Sequence, residues 1–328
     1  MATTTTTGAA TTATGRPEQL LLRVREVQVA APDVRSVVLE ALDGATLPSF
    51  TPGSHLVLDC GGRRNAYSLT GPTLEPRSYA VSVLHQRDGR GGSTWVHEQL
   101  AAGQVVSASP PRSAFPPVLT ARHHLLVAGG IGVTAMLSHV RAALRWQRSF
   151  TLLYSYREGT AAHLAELREL CGGRLHEMRG RAATRRNLRA ALAGQPLGTH
   201  LYTCGPPGLL DTVAELAREA GWPDERVHAE RFAVDELPPG RPFTAHLARS
   251  GRLVGVPSGT SLLQALEEAG VAVPNRCRQG VCGECRLGVR AGRVEHRDLY
   301  LGPAERGAGD SVMACVSRGL DDTLELDL

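Results

Sequence analysis

The chain has 328 residues, 42% of them apolar and 21% charged, with a formal net charge of +4. That length exceeds one compact core and predicts two or three domains, while so small a charge gives no basis for nucleic-acid binding. No run of 18 apolar residues occurs, so no membrane-spanning helix is expected.

Met1 to Gly15 is rich in Thr and Ala and carries no charged side chain. Without the basic start and apolar centre of a secretory signal it reads as a disordered tail, residues 1–17, on a cytoplasmic protein. From Leu20 to Pro117 the pattern is strand-like. Leu22, Val24 and Tyr79-Ala80-Val81-Ser82-Val83 mark alternating runs separated by Pro and Gly clusters, as in a barrel or sandwich. From Arg122 to Val234 strands alternate with helices. His124–Ala128, Phe150–Tyr156, Leu201–Cys204 and Val227–Phe232 read as strands, and Val133–Trp146, Ala161–Leu170 and Leu209–Ala220 as helices. That order predicts a parallel sheet covered on both faces. Leu237-Pro238-Pro239-Gly240-Arg241-Pro242 reads as a linker. The expected divisions are 18–118, 119–236 and 237–328.

The sharpest motif is Cys277-x4-Cys282-x2-Cys285 followed by Cys315, the spacing of a plant-type [2Fe–2S] site. Three thiolates from one loop wrap a small cluster, Gly280 and Gly283 supply the tight turns, and a distant fourth thiolate closes the cage. A structural zinc site would show two C-x2-C pairs, and only one is present. Cys60 and Cys171 read as ordinary thiols.

In the first block, Gly89-Arg90-Gly91-Gly92-Ser93-Thr94 is a glycine-rich turn opening a helix, a cradle for a phosphate. In the second, Gly129-Gly130-Ile131-Gly132-Val133-Thr134 ends one strand and Thr203-Cys204-Gly205-Pro206-Pro207 another. Two such junctions on one sheet edge make a crevice for a dinucleotide pyrophosphate. Tyr156-Arg157-Glu158 offers both an acid for a ribose 2′-hydroxyl and an arginine for a 2′-phosphate.

Asn275 to Cys285, then Glu295-His296-Arg297-Asp298, then Cys315 resemble the C-terminal part of the phthalate dioxygenase reductase family, and the resemblance runs from about Glu18 to the end. It implies a multidomain α/β and α+β protein: a Greek-key β-barrel flavin domain, a doubly wound parallel α/β nicotinamide domain and a β-grasp plant-type ferredoxin domain. Asn65-Ala66-Tyr67-Ser68-Leu69 resembles the family's Arg-x-Tyr-Ser-Leu flavin motif, with Tyr67 along the flavin ring and Ser68 touching it. Asn65 stands where the family has arginine, so either Arg64 or Arg90 serves the flavin phosphate. The glycine turn resembles the FMN rather than the FAD branch. Cys204, Gly205 and Pro206 fall beside the nicotinamide with Gly130, Gly132 and Thr134, and Phe232 covers the flavin; Ser68, Thr134, Cys204 and Phe232 are the expected catalytic set. The family leans to NADH, and Arg157 keeps NADPH open.

The resemblance implies a relay in which NAD(P)H reduces FMN, the electron pair is split, and the [2Fe–2S] cluster passes single electrons to a terminal oxygenase, a Rieske protein or demethylase, or alternatively a haem-thiolate monooxygenase. A monomer is expected. A redox sensor is the reading from another class, and a flavin reductase with a vestigial cluster domain is opposed by the intact four-cysteine set. Arg276, Arg278, Arg286 and Arg290 crowd the cluster loop and suggest a basic rim for an acidic partner.

Overall fold

Alternation in the first block resolves into an antiparallel sheet of β1 (Leu20–Ala31), β2 (Val34–Ala41), β3 (Ser54–Cys60), β4 (Arg63–Ser68), β5 (Ser78–Leu84), β6 (Val105–Ala108) and β7 (Arg112–Ser113), with one short helix, α1 (Gly92–Glu98). The structure, a computed structural model, describes residues 19–89, 91–113, 115–194, 196–232, 238–275, 278, 280–281 and 283–328. The expected tail 1–17, Arg90, Leu237, Arg276, Cys277 and Cys282 lie outside the described residues.

The strand order is β4-β3-β6-β1-β2-β5, with β7 beside β3, and a bridge from Leu69 to Val81 joins the two edges into a barrel. Non-sequential neighbours make it a Greek key. Leu22, Val24, Val37, Leu39, Leu56, Leu58 and Val81 point inward at two-residue spacing and fill it.

The second block is a five-stranded parallel sheet ordered β10-β9-β8-β11-β12. Its elements run β8 (His123–Gly129), α2 (Val133–Arg145), β9 (Phe150–Tyr156), α3 (Leu164–Cys171), β10 (Leu175–Arg179), α4 (Arg181–Ala193), β11 (Thr199–Cys204), α5 (Pro207–Glu219) and β12 (Val227–Glu230). Central β8 is buried from His124 to Gly129, which explains its unbroken apolar run. The chain winds outward from β8 to β10, then returns to β11, so β8 and β11 flank the point where the winding reverses.

The third block is a mixed sheet, β14-β13-β19-β15-β17, with a side ribbon of β16 and β18. Its elements are β13 (Phe243–Leu247), β14 (Arg252–Val256), α6 (Leu262–Glu268), β15 (Arg286–Ala291), β16 (Val294–Glu295), α7 (Pro303–Ala308), β17 (Ser311–Met313), β18 (Arg318–Gly319) and β19 (Thr323–Leu326). In β13, Phe243, Ala245 and Leu247 face the core in strict alternation and pack with Leu262, Leu263, Leu266 and Leu324. Phe243 and the leucines contribute about 1.5–3 kcal/mol each on burial. Ser261 caps α6 by accepting from the Gln264 amide at 3.1 Å.

Polar contacts join barrel and parallel sheet. The Gly53 amide donates to Ser138 Oγ at 2.9 Å, and a Cβ at Gly53 would stand 2.1 Å from the Phe115 carbonyl oxygen. Burial lowers the His139 pKa to about 3, so its neutral ring donates from Nε2 to that carbonyl at 3.0 Å. Arg141 donates to the Thr70 carbonyl and pairs with Glu166. His163 bridges Glu166 at 2.9 Å and Ser82 Oγ at 2.8 Å. Its hydrogen bond is the first cause holding the Glu166 carboxyl below its ordinary pKa. No described helix is long and apolar enough to cross a membrane.

Candidate functional site

A cavity of about 470 Å³ opens where the three blocks meet. The barrel supplies His55, Ala66, Ser68 and Arg112, the end of β12 supplies Glu230 and Phe232, and the third block supplies Val281, Leu299 and Tyr300. Arg112 pairs with Glu284 across that junction. The Ser68 hydroxyl has no protein partner among the described residues, so it is available to a ligand.

Two-residue alternation along β4 splits the flavin motif. Ala66 and Ser68 line the cavity, while Arg63, Asn65 and Tyr67 share the other face. That face meets the glycine turn: a Cβ at Gly92 would lie 2.6 Å from Asn65 Oδ1, and one at Gly91, where φ is +90°, 3.2 Å from Arg63 Nε. Arg63 is therefore the arginine brought to the turn. Arg64, named from sequence, falls on the opposite face because it is one residue out of register. The Ser93 hydroxyl is committed to Gln86, donating to its carbonyl and accepting from its amide, so Ser93 shapes the turn. Thr94 is half-buried in α1, whose first amides lack intrahelical partners. The Tyr67 hydroxyl lies 4.0 Å from Cys60 Sγ, and its ring packs against the barrel core. Open amides, Arg63 and Asn65 at the start of β4 and a partly apolar cavity at its end fit an elongated anion with a flat ring.

The two glycine junctions interlock. A Cβ at Gly132 would meet the Cys204 carbonyl oxygen at 2.3 Å, and one at Gly205 the Gly129 Cα at 3.0 Å. Gly132 and Gly205 thus let the chain approach itself. Gly130, with φ +51° and nothing within 4 Å of its absent Cβ, faces open space. It lines, with Pro206 and Arg157, a crevice of about 1150 Å³ along the sheet edge. Its length and exposed glycine fit a dinucleotide. Thr134 is buried, its hydroxyl donating to the Ile131 carbonyl at 2.9 Å, so it fastens the turn.

Cys204 pairs in register with Glu230; the Cys204 side chain is buried and one Glu230 oxygen is shut from water. Burial, then the Glu230 charge, push the Cys204 thiol well above its ordinary pKa, so it stays protonated. Glu230, which sequence reasoning missed, is half-buried as a residue, but its Oε2 is shut from solvent without a partner. Burial raises its pKa from 4.5 to about 8. The folded protein holds a proton there that the unfolded chain has shed, so stability declines as pH rises from 4.5 to 8. Glu230→Gln is expected to flatten that part of a urea-midpoint-versus-pH profile; an unchanged slope refutes the assignment.

In the third block, Cys285 and Cys315 are both buried, at 2% and 8% exposure, among aliphatic side chains. The Ala314 amide donates to the Cys285 carbonyl at 3.1 Å, which sets the two thiols at adjoining ends of β15 and β17. Arg278, Gly280 and Gly283 have φ of 53°, 73° and 80°, the tight turning that wrapping a cluster requires. A Cβ at Gly283 would strike the Tyr300 ring at 2.3 Å, so that ring lies directly over the loop. The Leu299 amide donates to the Gly280 carbonyl at 2.9 Å. Buried Asp298 accepts from Ser317 Oγ and from the Leu301 amide, tying this strap to the chain beyond Cys315. The described members of the basic rim are paired: Arg278 with Glu267, Arg286 with Glu305 at 2.8 Å and Arg290 with Asp327.

A crevice fit for a dinucleotide on the parallel-sheet edge, a cavity walled by all three blocks, and a cysteine-bearing loop that reaches that cavity through Val281 are the features of an electron-transferring oxidoreductase. Family models match at two places: the 2Fe-2S iron-sulfur cluster binding domain at residues 245–318, and the N-terminal domain of dimethylamine monooxygenase subunit DmmA-like proteins at 104–227. The chain is 45% identical to the heme-dependent oxidative N-demethylase beta subunit of Ectopseudomonas mendocina, over 94% of this chain and 98% of that one. It is 35% identical to phthalate dioxygenase reductase of Burkholderia cepacia, over 94% and 97%. A solved phthalate dioxygenase reductase, described as a modular structure for electron transfer from pyridine nucleotides to [2Fe–2S], superposes with TM-score 0.77 at 34% identity, over 94% of this chain and 98% of that one. An intact type IV self-sufficient cytochrome P450 monooxygenase superposes with TM-score 0.80 at 33% identity, over 94% of this chain but 41% of the other. The chain belongs to the phthalate dioxygenase reductase family, whose cofactors are FMN, a nicotinamide dinucleotide and a [2Fe–2S] cluster.

Proposed function

We propose that this protein is the reductase component of a multi-component oxygenase, drawing electrons from a nicotinamide dinucleotide and delivering them to a separate terminal oxygenase. The observation that carries this reading is the cavity walled by all three blocks. Arg63, Asn65, Gly91 and Gly92 would hold the FMN phosphate, and Ala66, Ser68 and Phe232 would bound its ring. Gly130, Pro206 and Arg157 would hold the dinucleotide. Cys277, Cys282, Cys285 and Cys315 would hold the cluster. When bound, the flavin converts a two-electron hydride into single electrons that a [2Fe–2S] centre can carry.

The protein's own residues prepare the place. Glu230, its pKa raised by burial, lines the cavity beside Arg231, and the protonated Cys204 thiol lies on the strand paired with it. Phe232 from the second block and Tyr300 from the third line the cavity with apolar rings. The free Ser68 hydroxyl offers a hydrogen bond at the ring edge. The three-part division, 18–118, 119–236 and 237–328, follows from these roles. Buried, unpaired Cys60, Cys171 and Cys204 suit a reducing cytoplasm.

For the terminal partner we favour a haem-dependent N-demethylating oxygenase, because identity to that beta subunit is ten points above that to phthalate dioxygenase reductase. A Rieske oxygenase is the second reading, favoured by the match to a solved phthalate dioxygenase reductase over nearly its full length. The protein, reconstituted with FMN, iron and sulfide, is expected to reduce cytochrome c on the order of 10 s⁻¹ with a reduced nicotinamide nucleotide. Failure to reduce it overturns the reductase reading. Mixed with each partner type, the protein should shift the haem Soret band of an N-demethylase; bleaching of a Rieske centre alone selects the second reading.

A further inference from the structure

Arginine stands at or just past the end of the second and third strands of the parallel sheet. β9 ends at Tyr156 and Arg157 follows at once, while β10 ends at Arg179 and Arg181 opens α4. Arg157, Arg179, Arg181 and Arg185 all line the dinucleotide crevice, against two acids, Asp33 and Glu158. Asp33 is bonded by Arg87 at 3.0 Å. The Glu158 side chain is 89% exposed and lies 3.9 Å from Arg179.

These four cations are not equivalent. Arg185 grips Glu215 with two bonds of 3.1 and 3.0 Å. Arg179 lies over the Tyr156 ring and 3.4 Å from Glu177, which Arg168 also clasps. Arg157 and Arg181 are exposed and have no hydrogen-bond or ion-pair partner among the described residues. Two unpaired guanidinium groups therefore stand at one end of a crevice whose other end is the Gly130–Pro206 junction. In open α/β sheets the end of the second strand meets the adenosine 2′ position, with an acid for a hydroxyl and an arginine for a phosphate. Here the residue directly after that strand is Arg157, and the one acid beside it lies toward Arg179.

We propose that the crevice takes a 2′-phosphorylated dinucleotide, NADPH, with Arg157 and Arg181 on the 2′-phosphate and Arg179 adding its charge. This rests on the dinucleotide reading of the crevice and narrows it. A planar guanidinium fork matches phosphate oxygens, and an anion relieves the crowding of like charges at this end. A ribose hydroxyl would leave Arg157 and Arg181 unpaired.

The test is calorimetric titration of the FMN-loaded protein with NADP⁺, NAD⁺, 2′,5′-ADP and 5′-AMP. NADP⁺ is expected to bind at least about tenfold tighter than NAD⁺, and 2′,5′-ADP to exceed 5′-AMP similarly. Arg181→Ala should weaken NADP⁺ and 2′,5′-ADP by about tenfold while leaving NAD⁺ within about twofold, and Arg157→Ala should weaken NADP⁺ and 2′,5′-ADP by more than it weakens NAD⁺ and 5′-AMP. NAD⁺ binding as tightly as NADP⁺, or variants that leave the ratio unchanged, overturns the phosphate assignment alone. Binding of neither dinucleotide overturns the crevice reading as well.

Discussion

Cys315→Ser is expected to stop electrons leaving the protein while leaving their entry intact. Cys315 sits in the core of the third block beside Cys285, so serine removes a cluster ligand and places a hydroxyl among Val312, Val316 and Leu301. Second-layer changes at metal sites already cost roughly 10–100-fold, and loss of a ligand exceeds that. Cytochrome c reduction should fall by more than about 100-fold, with loss of bound iron. Ferricyanide, which takes electrons directly from a flavin, should still be reduced at the parental rate, because the barrel and parallel sheet have cores of their own. The small third block draws part of its stability from its metal, so it alone should become susceptible to limited proteolysis. Cytochrome c reduction at the parental rate would refute the assignment of Cys315 as a ligand.

Gly132→Ala should be the most damaging single methyl group at the dinucleotide site. Its Cβ would stand 2.3 Å from the Cys204 carbonyl oxygen and 2.7 Å from the Gly205 nitrogen, both backbone atoms that cannot rotate away. The β8 and β11 junctions must then separate. Overpacking of this kind costs about 1–3 kcal/mol, and the same two junctions carry Gly130 and Pro206, which line the crevice. Thermal unfolding at least about 3 °C lower is expected, with dinucleotide affinity reduced by about tenfold or more. Gly130→Ala is the control. It meets nothing within 4 Å, so only the left-handed backbone is strained, at about 1 kcal/mol. Equal stability loss in the two variants would show that the interlock is unimportant.

Much of this was legible in the chain. The four cysteines signal themselves by spacing, and the two glycine junctions by following short apolar runs. What stayed hidden has physical reasons. β10 and α4 went unread because Leu-His-Glu-Met-Arg is an edge strand with a single fully buried residue, Met178, and α4 buries only Thr184, Leu188 and Leu192. That unread segment carries Arg179, Arg181 and Arg185. Arg63 was overlooked for Arg64 because motif alignment counts positions, whereas a strand counts faces. Glu230 gave no signal, since a carboxylate at the end of a short strand looks solvated in sequence, and only the fold shuts its Oε2 from water. The pairing within the basic rim was hidden because the acids bonded to Arg278, Arg286 and Arg290 lie 11, 19 and 37 residues away along the chain.

The shared cavity has a thermodynamic consequence. Its walls belong to three blocks, of which the first two also share a core cluster through Ala31 and Val34, so any molecule seated there is a common ligand of all three. Its binding free energy is spent on their mutual association as well as on its own retention. By mass action a ligand at one hundred times its dissociation constant stabilises the bound arrangement by about 2.7 kcal/mol. Emptying the cavity withdraws that cohesion from the seams and leaves the cores untouched. The cofactor that carries the electrons is thus also the mortar of the assembly that conducts them.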